Sequence, residues 1–382
     1  MGPTQIQSKV QVGLDMDLRI RSASLPVSLQ EASMRGNMRL EQLLQHLQLS
    51  NSSTQPVATF KMHVWLDRPL RDGKDADEWK PTESEAAANI DKWYQAGRLL
   101  FPRDSLQDVR DQLRKPLKKG DSIYVKAFDG SIYEWLVKIG DIKTHFEPDG
   151  DTGEEKSVEW VLTTPQISYR SFEDLKRLLE YSLSRAYCSV GIAHRMIRVG
   201  QEPEPEPLGN LNSGLEFLDT ILRDWEGSEA WSGIKSTLSS LNLNTKIAKV
   251  IGMACGTFTP TLECPGSRRS AVQHALLLTL TSFLQESNLG TGEVACYVQD
   301  PGYSKTDRLV LEKSDIKALE DPEGFLEMDD ASLVFSCGPN ICVKEIVADI
   351  ARPSILIWCT VKEEDPESPL YVFFAPVVTL VD

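Results

Sequence analysis

No stretch of the 382-residue sequence approaches the ~20 apolar residues needed to span a bilayer, so no membrane partner is expected. The opening, MGPTQIQSKV, lacks the basic-then-apolar order of a secretory leader. Pro3 follows Gly2, and Ile6 stands where a myristoylation signal carries Ser or Thr, so no lipid anchor is expected either. Cysteines number seven, an odd count, and Cys296, Cys337, Cys342 and Cys359 sit in apolar runs. That excludes a disulfide scaffold and predicts reduced thiols in a cytosolic or nuclear protein. Basic residues are outnumbered, 41 against 56 acidic ones for a formal charge of −15, so overall charge does not advertise DNA or RNA. What is present is an ordinary core-forming composition, 41% hydrophobic and 25% charged, over a length that suits about two domains.

Residues 1–57 are rich in Gln, Ser and Met and read as a mobile arm. From there to residue 200 the patterns predict a small α+β domain. FKMHVWL is strand-like, and SIYVKAF, Asp129-Gly130 and SIYEWLVKI form a hairpin signature. SVEWVLTT reads as a further strand, and Trp65, Trp93 and Trp135 as core. Ser171 with Asp174 reads as a capping box opening a helix that carries Phe172, Leu175, Leu179 and Leu183. Residues 201–209, where Glu and Pro alternate, read as a stiff linker. From 210 to 382 strands and helices alternate, after a helix expected to be capped by Ser213. KIAKVIGM, VACYVQD, IKAL, SLVFSC and SILIWCT are separated by helical segments, and YVFFAPVV reads as an edge strand. This order predicts an α/β fold with a Rossmann-like, mostly parallel sheet covered on both faces.

Ligands of such sheets gather at the carboxyl ends of the strands, so those loops carry the candidate residues. The first loop holds Gly252, Cys255, Gly256 and Thr257 ahead of a helix N-terminus, where glycines admit a ligand and the helix favours an anion. It matches neither GxGxxG nor GK[ST], and no nucleotide is specified. Cys255 there is a candidate nucleophile. The long connection that follows contains Glu263, Arg268 and Arg269, with Ser270 as expected N-cap. The arginines suit a phosphate or an RNA backbone. His274, the only imidazole of this half, is the natural general base unless it faces the core. Asp300 and Tyr303 follow the second strand, and Gly338 and Asn340 follow SLVFSC. Glu327, Asp329 and Asp330 fall at the other end of that strand and read as a solvated turn. The cysteines match no CxxC spacing, and no metal is expected. In the first domain Arg114, Lys118 and Lys119, with Arg110 and Lys115, form the densest basic cluster, a candidate RNA-contact surface.

The series GMACGTF, SRRSAVQHALLLTL, CYVQDPGYSKTD, DPEGFLEMDDASLVFSCGPN and IVADIARPSILIW resembles the Sensitivity to Red Light Reduced family in its fungal form, over roughly residues 245–360. The resemblance implies relatives linked to clock, light or heme physiology. The chain also looks like the fungal arginine-containing cyclodipeptide synthases. That likeness implies an enzyme drawing arginine from charged tRNA, joining it to a second aminoacyl group and closing a diketopiperazine, with no cofactor. Leu333 stands where the DDxxE motif of that group, begun by Asp329-Asp330, would place its Glu. The chemistry asks for positioning, amine deprotonation and an oxyanion site, and Asp300, Glu263 or Asp349 are candidates for a guanidinium pocket. The leading expectation is therefore such a cytoplasmic tRNA-dependent transferase. A regulatory or binding protein using the same cleft is the alternative, and an S-adenosylmethionine methyltransferase the third reading.

Overall fold

A computed structural model describes residues 64–66, 69–71, 74–75, 81–148, 155–181, 183–200, 211–260, 267–359 and 376–380. The expected arm, the Glu/Pro linker, Glu263 and the Trp65 side chain lie outside the described residues.

The N-terminal unit opens with short strands β1 (Val64–Leu66), β2 (Leu70–Arg71) and β3 (Lys74–Asp75), then helices α1 (Glu83–Gln95) and α2 (Arg103–Leu113). The hairpin follows as β4 (Ser122–Lys126) and β5 (Ile132–Leu136), paired Ser122 to Leu136 and Lys126 to Ile132. Its alternation turns Ile123, Val125, Tyr133 and Trp135 inward, as period-two patterning requires. Next come β6 (Ile142–Pro148), β7 (Glu155–Tyr169), α3 (Phe172–Arg177) and β8 (Val190–Arg198). The strands form two antiparallel sheets, β1-β8-β7-β6 and β3-β2-β5-β4. The capping box at Ser171 forms, with the hydroxyl accepting from Asp174 N at 2.9 Å. The helix stops at Arg177, however, so Leu179 is buried from the following turn and Leu183 falls in a short 3-10 segment.

The C-terminal half runs α4 (Leu211–Glu226), α5 (Glu229–Ser239), β9 (Ile247–Met253), α6 (Arg268–Glu286), β10 (Gly290–Gln299) and α7 (Lys305–Lys313). It continues with β11 (Ile316–Ala318), α8 (Glu323–Leu326), β12 (Ser332–Ser336), α9 (Val343–Ile350), β13 (Ile355–Cys359) and β14 (Pro376–Leu380). Two expected caps are corrected. Ser213 lies inside α4, which starts at Leu211. Ser267, not Ser270, caps α6, because its backbone is extended and its hydroxyl takes Ser270 N at 3.2 Å. The sheet order is β11-β10-β9-β12-β13-β14, with β14 antiparallel at one edge and the other five parallel. Counted within this half the order is 3-2-1-4-5-6, and the order in which strands are added reverses between β9 and β12, which run parallel.

Side-chain alternation sends Val250, Val298, Leu333 and Ile357 to a core under α4, α5, α6 and α7. Ile251, Met253, Val334 and Leu356 go to the opposite face, where α8, α9 and the N-terminal unit cover them. There they share one buried cluster with Ile90, Phe101, Leu106, Trp135 and Ile192, so the two halves of the chain close a common core. Polar contacts follow the same seam. Asp349 accepts from Leu100 N at 2.7 Å and Phe101 N at 2.9 Å, Glu345 from Phe172 N at 2.9 Å, and Asp321 from the Tyr169 hydroxyl at 2.7 Å. Arg103 donates to Leu326 O at 2.6 Å and also to Met328 O. Among the described residues no helix is long and apolar enough to cross a membrane.

Candidate functional site

The carboxyl ends of β9, β10 and β12 meet where the strand order reverses. Gly256, just past β9, donates its N–H to Asp300 Oδ2 at 2.7 Å, and Gly302 N donates to Asp300 Oδ1 at 2.7 Å. Gly256 has φ of +76°, and an added Cβ would lie 2.7 Å from Ser270 Oγ on α6. Across the reversal point, the Arg269 guanidinium stands 3.4 Å from where a Cβ on Gly338 would be. Asn340 is exposed in the same turn. Gly256, Asp300, Arg269, Gly338 and Asn340 therefore lie at the carboxyl end of the parallel sheet.

Several expected roles are corrected by burial. Cys255 is 1% exposed, and burial, with Asp300 nearby, pushes its thiol well above the ordinary range. A sequestered neutral thiol is not an activated nucleophile. His274 is fully buried, and burial lowers its imidazole to about 4. Its Nδ1 lies 2.7 Å from Ser270 O, which can only accept, so Nδ1 carries the proton and Nε2 accepts from the Tyr303 hydroxyl at 2.8 Å. Tyr303 is itself 6% exposed, and burial raises its phenol. His274 and Tyr303 are thus a closed internal pair, not a general base and a ligand contact. Gly252 is buried in β9, and a Cβ there would meet Leu277 Cδ1 at 2.5 Å, so helix packing explains the glycine.

Three amides of the glycine loop are also committed within the chain. Asp300 occupies Gly256 N, and Asp307 accepts from Phe258 N at 3.1 Å and Thr259 N at 2.9 Å. Asp307 further accepts the Thr257 hydroxyl at 2.5 Å and both Ser304 N and Oγ at 2.8 Å. Two internal carboxylates occupy the position an external anion was expected to take, so Thr257 braces the loop. Asp307 was missed because its visible signal, a capping box with Ser304, announces only the start of α7.

The basic residues do not form one surface. Arg269 and Arg268 begin α6 on one face of the parallel sheet, while Arg114, Lys118 and Lys119 follow α2, which packs on the other face. Arg114 pairs with Glu323 at 2.5 Å, Lys119 with Asp141 at 2.5 Å, and Arg268 with Asp224 at 2.9 Å. Arg269 is exposed and has no ion pair among the described residues. Glu327 and Asp329 lie at the amino end of β12, where Asp329 pairs with Lys249 at 2.8 Å. Two surface depressions of about 410 and 400 Å³ also open at amino ends, beside Lys246 and beside Lys249. Both lie at the opposite end of the sheet from the Gly256, Asp300 and Gly338 loops. Among the described residues no cluster of metal-ligating side chains occurs.

The sequence also passed over a network at the end of β11. Asp321 Oδ1 accepts from both the Tyr169 hydroxyl, at 2.7 Å, and Gln299 Nε2, at 2.9 Å, while Gln299 Oε1 accepts from Gly324 N at 2.6 Å. Burial raises Asp321 to about 6.

A parallel sheet of order 3-2-1-4-5-6 with its loops gathered at the reversal point defines a Rossmann-like α/β domain. Residues 234–366 match the SRR1 domain, and this part of the chain is an SRR1 domain. No curated protein and no solved structure matches the chain.

Proposed function

We propose that the SRR1 domain is a small-molecule binding module of regulatory type, with its ligand in the crevice between the β9–α6 loop and the β12–α9 turn. One observation carries this reading. The groups that acyl transfer would call upon, Cys255 and His274, are sealed in the core as neutral species, whereas Arg269 stands exposed over the Gly338 turn with no ion pair among the described residues. An open guanidinium beside a glycine turn suits a ligand bearing a phosphate or carboxylate.

Calorimetry of the full chain with AMP, S-adenosylmethionine and inorganic phosphate tests it. Binding of at least one is expected, weakened about tenfold by Arg269→Ala, the loss of one charge-assisted hydrogen bond. Failure of all three to bind, or binding indifferent to Arg269→Ala, removes the proposal. S-adenosylmethionine bound alone would favour the methyltransferase reading. The tRNA-dependent synthase keeps support from the convergence of Gly256, Asp300 and Gly338. Expression in a bacterial host should then yield arginine-containing diketopiperazines that vanish with Asp300→Ala.

A further inference from the structure

We infer that the group bound at the β12–α9 turn is a phosphate, seated on the first turn of α9 with the Ser336 hydroxyl, Lys344 and Arg269 around it. The inference rests on the ligand reading above and specifies it: the ligand is a phosphate ester, and the start of α9 is its seat.

A side chain with nothing to bond comes first. Ser336 ends β12, is 5% exposed, and its hydroxyl has no hydrogen-bond partner among the described residues. Folded chains ordinarily avoid leaving a buried hydroxyl unbonded, so this one asks for a partner from outside. Strand alternation gives its direction. Leu333 and Phe335 face the core under α6, whereas Val334 packs in the cluster that contains Val343, Ile346 and Val347 of α9. Ser336, two residues after Val334, therefore points to the α9 side of the sheet at its carboxyl end. The chain leaves β12 there and enters α9 at Val343, so the helix starts beside the hydroxyl.

That helix start is open. Thr82, Ser171, Ser228, Ser267 and Ser304 close the first turns of α1, α3, α5, α6 and α7 with a side-chain oxygen. At α9 the N-cap is Cys342, whose side chain makes no capping bond. The first-turn N–H groups of this eight-residue helix thus keep their capacity for an anion. The neighbouring acids are engaged elsewhere. Glu345 accepts from Phe172 N at 2.9 Å, Asp349 from Leu100 N and Phe101 N, and Asp174 caps α3 and pairs with Arg177 at 2.5 Å.

Two cations flank the seat. Trp358 is the register partner of Ser336 on β13, and Lys344 Nζ stands 5.1 Å from the centre of its ring. From the α6 side, the Arg269 guanidinium comes within 3.4 Å of where a Cβ on Gly338 would be, two residues beyond Ser336. Hydroxyl, helix amides, ammonium and guanidinium belong to different elements and reach the turn from different directions. A phosphate monoester presents three terminal oxygens and nearly two charges, and can meet all of them together. A carboxylate offers two oxygens in one plane. The Ser336 hydroxyl is closed to water, so binding requires it to step to another staggered rotamer toward the turn.

Calorimetry of the full chain with AMP, inorganic phosphate, adenosine and acetate tests this. AMP and phosphate should bind, and adenosine and acetate should bind at least about tenfold more weakly than AMP. Ser336→Ala and Lys344→Gln should each weaken AMP about tenfold, the loss of one hydrogen bond to a charged group. Ser336→Ala should leave the urea midpoint of the ligand-free chain in place, because the hydroxyl it removes bonds to nothing there. If AMP binding responds to Arg269→Ala but to neither Ser336→Ala nor Lys344→Gln, the seat on α9 is wrong while the ligand reading stands. If S-adenosylmethionine binds but AMP and phosphate do not, or if acetate or adenosine binds as tightly as AMP, the phosphate is wrong and the ligand reading stands. Failure of every probe, S-adenosylmethionine included, removes both.

Discussion

At the residue scale the chain places polar groups inside the SRR1 domain and satisfies them there. His274 shows the consequence for stability. Its folded value, about 4, lies below the ordinary 6.5, so the unfolded chain binds the extra proton between those two pH values. The neutral imidazole therefore supports the fold fully above pH 6.5, and that support drains away as pH falls toward 4, by up to about 3 kcal/mol. Asp321 runs the opposite way over a similar window, its contribution being lost as pH rises through about 6. The two partly cancel in the native protein, so the effect is read by difference. Urea unfolding at pH 7.5 and pH 5 should show His274→Gln losing less stability on acidification than the wild type does. An equal loss in both would contradict the buried neutral imidazole.

At the element scale the junction between β9 and α6 is governed by close approach. Gly256 sits at φ +76°, beside Ser270 Oγ, and Ala254 two residues earlier is also left-handed at φ 56°. Replacing Gly256 by Ala adds a methyl against that hydroxyl in a conformation costly to a side chain. Gly256→Ala is expected to destabilise the protein by about 1–2 kcal/mol, seen as a lower urea midpoint with an unchanged slope. The element patterns were legible where they were local. The hairpin, the capping box at Ser171, the alternation of strands and helices and the edge position of the last strand all follow from neighbouring residues. The boundaries of α3 and α4 and the cap of α6 were not, because each depends on packing or on which of several serines adopts the extended backbone.

At the scale of the whole molecule the second face of the parallel sheet has no complete cover of its own. Ile251, Met253, Val334 and Leu356 pack in one cluster with residues of the N-terminal unit. A fragment spanning 210–382 should expose that face, bind a hydrophobic dye and self-associate, whereas the full chain should not. Dye fluorescence and light scattering check this; a soluble, dye-silent fragment would mean that α8 and α9 suffice. The same arrangement explains why a linker-like Glu/Pro segment does not by itself separate two bodies: burial area outweighs the composition of the connection.

Taken alone, the sequence determined that strands and helices would alternate, that the loops at Gly256, Asp300 and Gly338 would be the ones to watch, and that the chain resembles an SRR-like protein. The first two follow from periodicity and turn chemistry, which act over a few residues, and the third from a series of short motifs. Tertiary structure alone decided that Cys255 and His274 are sealed, that Asp300 and Asp307 fill the loop amides, and that Arg114 and Arg269 lie on opposite faces of a sheet. It also joined Tyr169 to Asp321. Each of these depends on residues distant in the chain meeting in a place water cannot reach, and burial, which sets charge and reactivity, is a property of that meeting.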